Sequence, residues 1–128
     1  MGKEGPRIFA NDRELSCVEM SIASAGSLKI HRMIDFSCKD AAAYRPKKLP
    51  DVVITNPPWD RRIQGAEEAW RALGEFGREV LGRTAGNTSQ LWALTGNSHM
   101  NKYTDLPVLK SVDFNAAAVD MRFSLFKV

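Results

Sequence analysis

Four consecutive residues, Asn56, Pro57, Pro58 and Trp59, are the part of this sequence best suited to chemistry. They directly follow the apolar run of residues 51–55, which has the pattern of a buried strand. Proline lacks an N–H and fixes φ, so Pro57 and Pro58 form a stiff loop whose carbonyl groups can only accept hydrogen bonds. Asn56 precedes a proline and is therefore extended, which holds its side chain at the tip of the strand.

The amide oxygen of Asn56 and the carbonyl of Pro57 can converge on one exocyclic amine of a nucleobase and accept both of its hydrogens. These bonds draw the nitrogen lone pair out of conjugation with the ring, so the nitrogen becomes a better nucleophile and no strong base is needed. Trp59 offers a face on which a flipped-out base can stack, worth about 1–3 kcal/mol. The alternative is a plain Pro-Pro turn that closes a strand, since short motifs also match by chance.

The composition sets broad limits. A chain of 128 residues with 44% hydrophobic and 26% charged residues predicts one soluble globular domain. The formal net charge of +3 is compatible with a nucleic-acid partner. Cys17 and Cys38 lack the spacing of a metal site, so we assign no metal and expect free thiols. We find neither a signal peptide nor an apolar run long enough to span a bilayer, and we expect a cytoplasmic protein without a membrane partner.

The hydrophobic pattern predicts alternating strands and helices. Strands are expected at residues 7–11, 33–37, 52–55, 90–94, 108–114 and 121–128, and helices at 15–25, 66–81 and 98–104. This order is typical of an α/β protein with a mostly parallel sheet and a closing carboxyl-terminal antiparallel pair. Ligands of such sheets lie beyond the carboxyl ends of the strands. Asp12, Asp40 and Asn56 each follow a candidate strand, so we expect all three along one edge; alone, Asp12 and Asp40 could also be simple turn residues.

Together these residues resemble the Rossmann-like S-adenosylmethionine-dependent methyltransferases that carry an Asn-Pro-Pro-aromatic motif and methylate nitrogen. The likeness is greatest to the RNA guanine-N2 methyltransferases that are often found with a THUMP domain. The resemblance implies that Asn56, Pro57, Pro58 and Trp59 are catalytic. It also implies that Trp59, Arg61 and Arg62 contact a structured RNA, ribosomal or transfer, whose guanine amine is methylated.

The same resemblance implies how S-adenosylmethionine is bound. Asp12 matches the acidic residue that bonds the cofactor ribose, and Asp40 matches the one that contacts the adenine amine. The implied cofactor-binding residues are Asp12, Arg13, Asp40, Ala41 and Asn56. The family's first strand and glycine-rich turn would precede residue 7. Residues 1–128 are therefore interpreted as the carboxyl-terminal part of a catalytic domain, without the family's first strand. The missing amino-terminal part of the same protein is the expected partner.

The closing hairpin of the family usually carries Asn-Gly, whereas here Asn115 is followed by Ala116. Three alternatives stay open at this point. The same motif serves methyltransferases of adenine N6 and of protein glutamine, and the chain could be a non-catalytic fragment or remnant of the fold.

Overall fold

The computed structural model describes residues 7–58, 63–95 and 99–128. The chain divides into two compact units, Met1–Tyr44 and Arg45–Val128. Helices and strands alternate through both units, which confirms the α/β class predicted from the hydrophobic pattern. No helix in the described ranges is long and apolar enough to cross a lipid bilayer.

The first unit is a strand–helix–strand motif. Strand β1 (Ile8–Asp12) leads into helix α1 (Leu15–Ser27), and a 3₁₀ turn (His31–Met33) precedes strand β2 (Ile34–Cys38). The two strands are parallel, in register from the pair Ile8 and Ile34 to the pair Asp12 and Cys38. Both strands lie one residue later than the sequence predicted, and α1 begins at the predicted residue 15 but ends two residues later, at Ser27.

Helix α1 buries a narrower apolar stripe than its sequence predicts. Val18 and Ala25 are buried, as expected, but Leu15 is 59% and Ile22 43% exposed. Val18 and Ala25 are seven residues apart and therefore lie on one line along the helix. The two-stranded sheet β1–β2 offers little surface beyond that line, so the residues on either side of it stay in solvent.

The second unit contains a mixed four-stranded sheet in the order β3-β4-β6-β5. Its strands are β3 (Val52–Thr55), β4 (Gln90–Thr95), β5 (Val108–Ala116) and β6 (Val119–Phe126). The pair β3–β4 is parallel, whereas β4–β6 and β5–β6 are antiparallel. The predicted closing antiparallel pair is therefore confirmed, and it extends to a nine-residue and an eight-residue strand.

Two helices complete this unit. Helix α2 (Ala66–Phe76) continues into a π-helical turn (Gly77–Leu81), so the predicted helix 66–81 changes its winding at Gly77. Helix α3 (His99–Thr104) follows β4. Gly74 of α2 lets the backbone of α3 approach, because a Cβ at this glycine would lie only 2.0 Å from the carbonyl oxygen of Thr104. The Arg78 guanidinium donates to the same oxygen at 2.6 Å, so the two helices are held together at Thr104.

The core of the second unit follows the alternation of its strands. Leu91, Ala93 and Thr95 of β4 are buried, while the intervening Trp92 is half-buried and stacks on Phe123 with ring centroids 4.8 Å apart. Buried side chains of α2 and β6 pack into the same core; they are Ala66, Trp70, Ala72, Leu73, Phe76, Met121, Ser124 and Phe126.

Strand β3 is less buried than its continuous apolar sequence predicts. Within the described ranges it pairs with β4 alone, and Ile54 is 70% exposed. A run of Val52, Val53 and Ile54 is typical of a strand with neighbours on both sides. Val52, on the same face as Ile54, is 51% exposed, so in the described ranges this face of β3 is uncovered as well as one of its edges being unpaired.

The β5–β6 hairpin turns two residues later than the motif Asn115-Ala116 suggests. Ala116 pairs with Val119, which leaves Ala117 and Ala118 as the turn, with φ of 48° and 64°. Two positive φ angles in a two-residue loop define the turn in which Asn and Gly are usually found. Asn115 lies in the strand instead, and its side chain donates to Asp120 Oδ1 at 3.0 Å.

Candidate active site

The loop of Asn56, Pro57 and Pro58 leaves the sheet at the carboxyl end of β3. The strand is held to β4 as far as the pair Thr55 and Ala93, directly before Asn56. Asn56 is exposed, and both prolines are half-buried. The predicted strand tip is thus confirmed, and it presents the amide of Asn56 to solvent.

The far end of this loop is fixed by a buried tryptophan. The indole Nε1–H of Trp70, on α2, donates a hydrogen bond to the carbonyl oxygen of Pro58. Trp70 is fully buried. A buried indole N–H needs an acceptor, and a proline carbonyl supplies one without a competing N–H on the same residue. The three loop residues are therefore held between a paired strand end and an anchored carbonyl.

Trp70 is in turn supported by α3. Its ring lies 5.5 Å from that of Tyr103, at an interplanar angle of 45°. The Tyr103 hydroxyl donates to Glu67 Oε1 at 2.9 Å, and the Arg71 guanidinium sits 5.0 Å from the Tyr103 ring centroid. Glu67, Trp70, Arg71 and Gly74 share one face of α2, since they are three, four and seven residues apart. The face that closely approaches α3 thus also carries the anchor of the loop.

Two carboxylates lie at the carboxyl edge of the β1–β2 sheet. Asp12 ends β1, and its Oδ1 accepts the backbone N–H of Glu14 at 2.8 Å. Asp40 follows β2 by two residues, and its Oδ1 accepts the N–H of Ala42 at 2.9 Å. The backbone N–H of Lys39 donates to the Asp12 carbonyl at 3.1 Å, so both aspartates belong to one edge, as predicted. Both carboxylates also accept the local backbone hydrogen bonds that are expected of simple turn residues.

The remaining predicted residues divide into two groups. Arg13 is exposed, with its Nε 3.5 Å from Glu14 Oε1, and Ala41 is half-buried beside Asp40. Trp59, Arg61 and Arg62 lie outside the described residues. The position of Asn56 on one edge with Asp12 and Asp40 stays a prediction, because they belong to different units.

A polar cluster in the first unit was not foreseen. Asp35 is half-buried, and its Oδ2 is enclosed without a hydrogen-bond partner in the described parts of the chain. Burial raises the pKa of the nearby Tyr44 phenol, the negative charge of Asp35 adds to that rise, and a hydrogen bond with Ser37 opposes it. Ser37 Oγ also lies 2.8 Å from Asn11 Oδ1, to which it donates.

The sequence predicted a helix over residues 66–81 but did not connect its Trp70 with the Pro-Pro loop. The available signal was chemical: a tryptophan on the apolar face of a helix needs an acceptor for its N–H. The spacing of twelve residues between Pro58 and Trp70 does not by itself identify which acceptor that is.

Comparisons with known proteins show the same fold in larger proteins. SMU.472, solved in complex with SAH, has 16% sequence identity and a TM-score of 0.78 over 93% of this chain and 31% of its own. TrmN from Thermus thermophilus has 17% identity and a TM-score of 0.70, over 96% of this chain and 37% of its own. A predicted N6-adenine-specific DNA methylase from Listeria monocytogenes has 17% identity and a TM-score of 0.70, over 91% and 29%. No curated protein matches the sequence.

These solved structures establish the Rossmann-like methyltransferase fold, and this chain spans about a third of the length of each. The match to a protein family covers most of this sequence. A model of the RMKL-like methyltransferase domain matches residues 3–123, which is nearly the whole chain. The chain therefore belongs to the UPF0020 family of RMKL-like methyltransferase domains.

Proposed function

We propose that this chain is the carboxyl-terminal part of a catalytic domain that transfers a methyl group from S-adenosylmethionine to the exocyclic amine of guanine in a structured RNA. The observation that carries the proposal is the loop of Asn56, Pro57 and Pro58 at the end of β3, with an exposed amide at one end and an anchored carbonyl at the other. Family membership supports methyl transfer as the reaction class.

Asn56 and Pro57 have complementary parts in this proposal. The amide oxygen of Asn56 and the carbonyl of Pro57 accept the two amine hydrogens and direct the nitrogen lone pair away from the ring. The cofactor supplies an electrophilic methyl group on a sulfonium. The C–S bond breaks as the N–C bond forms, and the resulting ammonium then releases a proton to solvent. Catalysis rests on positioning and on acceptors that meet the growing positive charge of the nitrogen.

Asp12 and Asp40 fit the polar groups of the cofactor. Ribose hydroxyls and an adenine amine are hydrogen-bond donors, and both carboxylates lie exposed at one sheet edge. Their turn bonds to Glu14 N and Ala42 N hold each carboxylate in place. Arg13 and Ala41, which flank them, and Asn56 are the other residues of this chain in the proposed cofactor site. SMU.472, which shares the fold, was solved with SAH.

Trp59, Arg61 and Arg62 complete the proposed substrate site. A tryptophan directly after the Pro-Pro loop can stack on the flipped guanine, and two arginines beyond it can contact RNA phosphates. Among the solved structures with this fold, the Listeria protein is called a predicted N6-adenine-specific DNA methylase, which is consistent with a nucleic-acid substrate.

The open edge of β3 supports the proposal that residues 1–128 are part of a larger domain. Ile54 is 70% exposed in a strand whose composition is typical of a central position. The chain also spans 31% of the length of SMU.472. An additional strand beside β3, from an amino-terminal part of the same protein, would cover these side chains.

The identity of the methylated nucleoside tests the proposal. The protein is incubated with methyl-labelled S-adenosylmethionine and either RNA or total protein, and the digested products are separated by mass. We expect label in N2-methylguanosine. Label in N6-methyladenosine or in methylglutamine would show that the methyl acceptor is the adenine amine or the glutamine amide, and not guanine. Absence of label from all three, with the protein folded, would contradict methyl transfer and favour a non-catalytic remnant.

A further inference from the structure

We infer that Trp70 is a positioning residue for the Pro-Pro loop: its indole N–H sets the direction of the Pro57 carbonyl by holding the carbonyl of Pro58. This inference rests on the proposed function for its kinetic consequence. Its structural part, the hydrogen bond from Trp70 to Pro58, stands on the geometry alone.

The backbone of Pro58 transmits the constraint. Its ring fixes φ, so ψ is its one soft torsion, and a hydrogen bond to its carbonyl fixes that torsion as well. Pro58 then behaves as a rigid body together with the peptide plane that joins it to Pro57. The carbonyl of Pro57 lies in that plane. Holding Pro58 therefore sets the direction in which Pro57 can accept a hydrogen bond.

The opposite end of the loop is fixed by the sheet. Thr55 pairs with Ala93, and Asn56 is confined to extended backbone by the proline that follows it. With both ends held, Asn56 Oδ1 and the Pro57 carbonyl keep one relative geometry. Without the indole N–H, the strand end alone holds the loop, and two acceptors that must meet one amine nitrogen can drift apart.

The Trp70 side chain is held rigidly enough to anchor the Pro58 carbonyl. It is fully buried, it packs against Tyr103, and Tyr103 is held by its bond to Glu67. Gly74 brings α3 close enough for this contact, because no side chain separates it from Thr104. The anchor therefore belongs to the packed interface of α2 and α3, and the loop takes its position from that interface.

The test removes the indole N–H at position 70 and compares the effect with removal of another indole N–H. Trp70→Phe keeps an aromatic ring and removes the donor, whereas Trp92→Phe removes an indole N–H that donates to Gln90 Oε1 at 3.0 Å and makes no bond to the loop. We expect Trp70→Phe to lower kcat of the full protein about 10-fold or more, with KM for S-adenosylmethionine unchanged. Trp92→Phe is expected to keep kcat within about 2-fold of the wild type. Wild-type kcat in folded Trp70→Phe would overturn the inference.

A second replacement covers the case in which Trp70→Phe does not fold. 3-Benzothienylalanine at position 70 substitutes sulfur for the N–H and keeps the shape of the ring, and the same fall in kcat is expected. Unchanged kcat in this variant would also overturn the inference.

The hydrogen bond is measured independently of activity through the indole N–H resonances of Trp59, Trp70 and Trp92. We expect slow solvent exchange for Trp70, and rapid exchange would refute the anchor. A protected Trp70 N–H in a protein that labels no amine would instead retain the anchor and reject the proposed function.

Discussion

Replacing Gly74 by alanine tests the close packing of α2 and α3 on which the loop anchor depends. The new Cβ would lie 2.0 Å from the Thr104 carbonyl oxygen, 2.7 Å from its carbon and 2.8 Å from its Cα. All three are backbone atoms, so no side-chain rotation relieves the clash. Normal van der Waals separation requires the two helices to move apart by roughly 1 Å.

The magnitude follows from two opposing effects. Overpacking costs about 1–3 kcal/mol, and a backbone clash belongs at the upper end of that range. Alanine in place of a helical glycine recovers about 1 kcal/mol of helix propensity. The free energy of unfolding should therefore fall by about 2 kcal/mol, which corresponds to a decrease in Tm of about 10 °C for a unit of this size.

The assay is urea unfolding followed by tryptophan fluorescence, because Trp59, Trp70 and Trp92 all belong to the second unit. Glu75→Ala is the control on the same helix: Glu75 is exposed, and its replacement should change stability by less than about 0.5 kcal/mol. Gly26→Ala, where nothing lies within 4 Å of the new Cβ, should leave the first unit as stable or slightly more stable by far-ultraviolet circular dichroism. A Gly74→Ala protein as stable as the wild type would refute the close approach of the helices.

Two further predictions concern the hairpin and pH. Replacing Ala117 and Ala118 together by Asn and Gly should raise the free energy of unfolding by about 1–2 kcal/mol, because alanine at positive φ is strained; an unchanged urea midpoint would contradict the turn geometry. Burial raises the pKa of Tyr44, so the folded state retains the phenolic proton more strongly than the unfolded state does. The contribution of this protonation to the free energy of unfolding is present below about pH 10 and is lost as the pH rises through the folded pKa. The fall in stability at alkaline pH should therefore be smaller in Tyr44→Phe than in the wild type. Equal falls in both proteins would contradict the raised pKa.

Local chemistry made much of this molecule predictable. Continuous β-branched residues identified β3, and the two prolines after Asn56 marked the end of that strand and a stiff loop. The aspartates after β1 and β2 share an edge because parallel strands place their carboxyl ends together. These inferences depended on neighbouring residues in the sequence, where propensity and hydrophobic pattern act directly.

The features that the sequence did not predict depend on residues far apart in the chain. The bond from Trp70 to Pro58 exists because a helix and a loop meet in the core, and the exposure of Ile54 depends on which strands pair with β3. The turn at Ala117 and Ala118 was missed because it contains none of the usual turn residues. There the pairing of the two long strands sets the register and imposes the turn on alanine.

The most direct test of the central claim is methyl transfer by Asn56→Ala in the full protein, measured beside its affinity for S-adenosylmethionine. Asn115→Ala is the matched control, since it removes an exposed amide that bonds Asp120 on the β5–β6 hairpin, whose strands lie second and third from β3 in the sheet. We predict that Asn56→Ala lowers kcat at least about 100-fold, because one of the two acceptors for the amine is gone. Cofactor affinity should stay within about 2-fold of the wild type, as should kcat of Asn115→Ala. Full transfer activity in Asn56→Ala would contradict the assignment of this loop as the catalytic site.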